Sequence, residues 1–75
     1  MACINPDGTL TEVARQVLSA LTAPLTPEEV AARTGLPLYR IRATFRETGR
    51  AGLIEAAGGG WRLTDLGREA LELDS

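Results

Sequence analysis

Between Leu25 and Pro37 the chain carries the start and the stop of a helix so close together that only about two turns fit between them. Thr26 is placed to cap a helix whose first residue is Pro27, the helical position at which a missing backbone N–H costs nothing. Glu29, three residues after Thr26, completes a capping box, and Leu25 with Val30 forms a hydrophobic staple across the start. Gly35 suits the left-handed residue that ends a helix, and Pro37 steers Leu36 away from helical geometry. A helix over residues 26–34 is expected, then a three-residue turn, Gly35-Leu36-Pro37, leading directly into another helix. Whatever the fold, it must hold two helices joined at a short, stiff corner.

The helix after the corner is expected over residues 37–49, with Gly49 and Gly52 bracketing its end. At 100° per residue Ile41, Phe45 and Thr48 share one face, with Leu38 and Thr44 at its edges, and that face belongs to a core. Arg42, Arg46 and Arg50 recur every four residues on a line about 120° from the Ile41/Phe45 centre, with Tyr39 among them. This line should face solvent, and Arg40 projects from the other flank.

The remaining segments follow from similar punctuation. Asn5-Pro6-Asp7-Gly8 has the residues of a reverse turn, and Thr9 with Glu12 reads as the capping box of a first helix over residues 9–22. Its apolar stripe is Leu10, Val13, Ala14, Val17 and Leu21. From Leu53 the period changes to two, so residues 53–63 read as a β-hairpin closed by the glycine-rich stretch Ala57 to Gly60. Trp61 and Leu63 then point to one side and Arg62 to the other. Thr64 caps a last helix over residues 64–73, with Asp65 near its positive end. The predicted core is Val13, Val17, Leu21, Val30, Ile41, Phe45, Leu53, Trp61, Leu63 and Leu66.

Seventy-five residues make one domain, residues 1–75, mostly α with a small β-hairpin. Eleven alanines and eleven leucines against three aromatic residues (Tyr39, Phe45, Trp61) favour packed helices over a strand-rich sandwich. With no His and a single cysteine, Cys3, one chain can build neither an internal disulfide nor a Cys/His zinc site. Cys3 reads as an incidental thiol. Glu28 and Glu29 read as a helix-start pair, since no His, Lys or reactive hydroxyl stands by for acid–base work. Gly58 to Gly60 is not followed by the Lys-Ser or Lys-Thr helix of a phosphate-binding loop. No catalytic residue, cofactor or metal ligand is expected, and neither is a membrane span. A reducing, cytoplasmic setting fits this residue usage.

The net charge of −2 conceals an uneven distribution. Residues 1–32 carry −3, residues 33–62 carry +4, and residues 63–75 carry −3. Every basic residue is Arg, whose planar fork grips phosphates and guanine edges.

The order helix, helix, short turn, helix, hairpin, helix resembles the winged helix-turn-helix domain of bacterial and archaeal transcriptional regulators of the MarR, ArsR and PadR kinds. The likeness rests on Thr26-Pro27-Glu28-Glu29-Val30-Ala31, on Thr34-Gly35-Leu36, and on Ile41 and Phe45 leading to Ala51-Gly52-Leu53-Ile54. It ends with Trp61-Arg62-Leu63-Thr64, Gly67 and Leu71, and so covers nearly all of residues 9–73. The resemblance implies sequence-specific binding of double-stranded DNA, with the helix over residues 37–49 in the major groove and the hairpin on the backbone or minor groove. The residues it assigns to DNA are Arg33, Tyr39, Arg40, Arg42, Arg46, Arg50 and Arg62. Glu47 is expected to neutralise one or two of these arginines. Two features depart from the pattern: Thr48 replaces a large aliphatic residue, predicting a weakly packed helix end, and the hairpin carries little positive charge. A module that binds protein through the same surface is the alternative, and a homodimer would use the first helix, the last helix or the Cys3-Ile4 end.

Overall fold

The computed structural model describes residues 4–73; Cys3, whose thiol the sequence reading singled out, lies outside them. The element order is α1 (Glu12–Ala20), α2 (Pro27–Thr34), α3 (Leu38–Arg50), β1 (Ile54–Ala57), β2 (Gly60–Leu63) and α4 (Asp65–Leu73). The protein is thus mostly helical with one two-stranded antiparallel sheet. Among the described residues no helix is long and apolar enough to cross a membrane.

The α2 boundaries agree with the sequence signals. The Glu29 amide donates to Thr26 Oγ1 (3.2 Å) while the Thr26 amide donates to Glu29 Oε1 (2.9 Å), so the capping box is closed in both directions. The backbone hydrogen bond from Thr26, with help from its side chain, holds the Glu29 carboxyl below its ordinary pKa of 4.5. Gly35 takes φ +74° and its amide donates to Ala31 O, ending the helix as a left-handed cap. Three residues later α3 begins, with Pro37 as its N-cap.

The start of α1 differs from the expectation. Thr11, not Thr9, is the N-cap, and its Oγ1 accepts from the Ala14 amide. Thr9 is already engaged, because its amide (3.0 Å) and hydroxyl (2.7 Å) both donate to Asp7 Oδ1. That Asx-type turn holds the Asp7 carboxyl below its ordinary pKa, first through the Thr9 hydroxyl and then through the Thr9 amide. An antiparallel bridge between Ile4 and Leu10 closes the reverse turn expected at residues 5–8. The other end of α1 closes at Ala20, two residues short of the expected limit.

In the middle of the chain, α3 continues through Gly49 to Arg50. Its last turn is not loose. Thr48 is fully buried, and its hydroxyl donates to Thr44 O at 2.7 Å, so the polar group that replaces an aliphatic one is satisfied within the helix. The hairpin loop is also shorter than expected: Ala57 and Gly60 still pair, leaving a two-residue turn, Gly58-Gly59, with φ +54° and +80°.

The core contains Val17, Leu21, Val30, Ile41, Phe45 and Leu53 as expected, together with Leu10, Ala14, Leu18, Leu25 and Ile54. Val13, Trp61 and Leu63 are only half-buried against it. Leu66 is 52% exposed, against its place in the predicted core; Leu73 is 82% exposed, while Ala70 and Leu71 pack against the core. The reason lies next door. Gly67 is buried against the Leu53 carbonyl, and the contact face of α4 is centred there, with Leu66 turned to its edge. Thr64 caps this helix as expected, accepting from the Gly67 amide at 3.0 Å while donating to Gly52 O.

One connection was not legible in the sequence. Leu25, in the segment between α1 and α2, forms a bridge with Trp61 through two backbone hydrogen bonds of 3.0 and 2.8 Å. The turn end of the hairpin is thereby tied to the segment leading into α2, and a groove lies between α3 and β2.

Candidate nucleic-acid interface

The groove is lined by Pro27 from α2, by Arg42, Phe45, Arg46, Gly49 and Arg50 from α3, and by Trp61 from β2, and encloses about 510 Å³. It exists because α3 presents two faces at once. Ile41, Phe45 and Thr48 go inward, which leaves Arg42, Arg46 and Arg50 exposed on the adjoining face. Phe45 meets Trp61 edge to face, with ring centroids 6.2 Å apart and planes at 64°. The floor is therefore aromatic and the α3 wall is cationic.

Arg42, Arg46 and Arg50 are thus brought together in one groove. Arg42 Nη2 lies 3.0 Å from Glu28 Oε2, so the acid beside it comes from α2, and the expected partner Glu47 makes no ion pair among the described residues. Both side chains are more than half exposed, and a pair of that kind contributes only about 0–1 kcal/mol. Arg46, Arg50 and the half-buried Arg40 have no carboxylate partner among the described residues. Tyr39, in the first turn of α3, is 72% exposed.

The remaining expected site residues lie elsewhere. Arg62 Nε is 2.8 Å from Glu55 Oε2, its partner across the hairpin register. It lines a separate depression with Thr64, Asp65 and Arg68. Arg33, in the last turn of α2, shares a cleft with Arg15, Gln16 and Ser19 of α1, and it contributes to the acidity of Glu29.

Four participants in the groove were missed by sequence reasoning: Pro27, Phe45, Gly49 and Trp61 were assigned to capping, helix termination or core alone. The Glu28–Arg42 pair spans fourteen residues and two helices, so no local pattern announces it. The Glu55–Arg62 pair was accessible, since a hairpin centred on Gly58-Gly59 places those residues opposite each other. Chemically, the groove can hold a group that is anionic on one side and apolar on the other. No family model matches this chain, and neither a curated protein nor a solved structure does.

Proposed function

We propose that this chain is a small DNA-binding module of the winged helix-turn-helix kind, acting as a transcriptional regulator. In this reading α3 enters the major groove and the hairpin lies across the adjoining backbone. The observation that carries it is the row of exposed arginines, Arg42, Arg46 and Arg50, on the helix that follows the three-residue corner. The corner supports the reading because it sets a second helix against the first, the arrangement by which such motifs present one helix to DNA. The Arg42–Glu28 pair is no obstacle. A surface pair worth about 0–1 kcal/mol yields to a phosphate, whose charged hydrogen bond is worth about 1.5–3 kcal/mol.

The test is fluorescence anisotropy of labelled duplex DNA at increasing salt. With about four phosphates neutralised, log affinity falls against log salt with a slope of about −3.6. Replacing Arg42 and Arg46 with Ala abolishes most binding, whereas replacing Arg15 and Arg68 changes little. A duplex that does not bind at low salt sinks the proposal. The arginine row and the aromatic groove floor would then favour a module that docks an acidic protein surface on the same face.

A further inference from the structure

A helix lying in a major groove and a hairpin crossing toward the minor groove must straddle the ridge of one strand. The groove between α3 and β2 is the concave feature between those two elements. We infer that it seats the sugar–phosphate ridge of one strand of a DNA duplex, with Arg42, Arg46 and Arg50 on successive phosphates and the Trp61 indole against the deoxyribose between them. The inference rests on the DNA-binding reading and adds which part of the duplex the groove recognises.

Three observations converge. Successive arginines four residues apart rise about 6 Å along the helix, a step comparable to the spacing of neighbouring phosphates on one strand. The chemistry is divided in the same way on both sides: guanidinium groups line the α3 wall, and the apolar surfaces of Phe45, Trp61 and Pro27 line the rest. A backbone ridge likewise carries its charge on the phosphates and aliphatic carbon on the sugars. Gly49 is the third observation. A Cβ there would meet nothing nearer than Ile54 Cγ1 at 4.0 Å, so packing does not require glycine, although glycine inside a helix costs up to about 1 kcal/mol relative to Ala. Gly49 itself lines the groove, so the wall carries no side chain between Arg46 and Arg50.

The consequence is binding in which backbone contacts supply most of the affinity and sequence contributes little at this groove. Trp61 is the only tryptophan, so its emission reports the groove alone. Two labelled duplexes of equal length and unrelated sequence are titrated while anisotropy and Trp61 emission are recorded together. Both duplexes are expected to change the emission equally, in step with anisotropy. Arg50→Gln is expected to reduce the salt slope by about 1. Gly49→Leu, which adds a side chain to the groove lining and leaves every arginine unsubstituted, is expected to lower affinity at least tenfold while leaving the unfolding midpoint unchanged or raised. Binding with no change in Trp61 emission, or with full affinity in Gly49→Leu, overturns the groove assignment and leaves DNA binding standing. An emission change with only one of the two duplexes, or an equally strong change with single-stranded DNA, means that a base occupies the groove, and also overturns it. No anisotropy change with either duplex overturns the DNA-binding reading itself.

Discussion

Replacing Gly67 with Ala should destabilise the protein, although the same change in most helices stabilises it. Alanine is the better helix former by about 1 kcal/mol, which sets the gain. Against it stands a collision. A Cβ at residue 67 would overlap the Leu53 carbonyl oxygen and lie 3.0 Å from its carbon and 3.1 Å from Leu63 Cδ2. A backbone atom cannot swing aside as a side-chain tip can, so α4 must shift away from the segment leading into β1. Overpacking of this kind costs about 1–3 kcal/mol. The Leu53 carbonyl also accepts the Thr64 amide at 3.0 Å, and losing that bond adds about 1 kcal/mol. The balance is a net loss of about 1–3 kcal/mol, or a fall in Tm of roughly 10 °C for a domain of this size. Urea and thermal unfolding, followed by far-UV circular dichroism and Trp61 fluorescence, measure it. A variant as stable as the parent, or more so, would refute the close approach of α4 to Leu53.

Phe45→Ala should cost about 3–5 kcal/mol, since the ring is 6% exposed and holds Trp61 edge to face; a loss under about 1 kcal/mol in urea would contradict the orientation of α3. Thr26→Ala should destabilise by about 1 kcal/mol and leave the circular dichroism spectrum unchanged, because one cap is lost and no packing is altered. The depressed Glu29 carboxyl contributes stability that is fully present above its ordinary pKa of 4.5 and is lost as pH falls through the depressed value. Unfolding midpoints between neutral pH and about pH 3 should therefore decline less steeply in Glu29→Gln than in the parent, and parallel curves would count against the capping box.

The parts of the fold legible in the sequence were those specified by neighbours. Thr26, Pro27, Glu29 and Gly35 act within one or two helical turns of one another, and the limits of α2 followed from them. Thr9 failed as a cap because two candidates stood close together, and the Asp7 carboxylate had already taken one of them. Leu66 was misplaced for a different reason: apolar spacing marks large side chains, whereas the contact of α4 is centred on a residue with none. The arginine row on α3 was likewise readable from periodicity. The groove beside it was not, since it depends on Leu25 meeting Trp61 and on Glu28 reaching Arg42, both long-range pairings.

The Leu25–Trp61 bridge also bears on solubility. A two-stranded ribbon exposes two rows of unpaired backbone groups, and each is a template for another chain. Leu25 occupies part of the row on β2 with its own backbone. A Cβ on Gly60 would come within 2.6 Å of Leu25, so the bare residue there is what lets the cover fit. Only the β1 side stays open, over the four residues Ile54–Ala57, with the charged Glu55 exposed among them. A strand so short and charged makes a poor nucleus for intermolecular sheet growth. Replacing Gly60 with a bulkier residue would expose the second row and favour aggregation over simple unfolding.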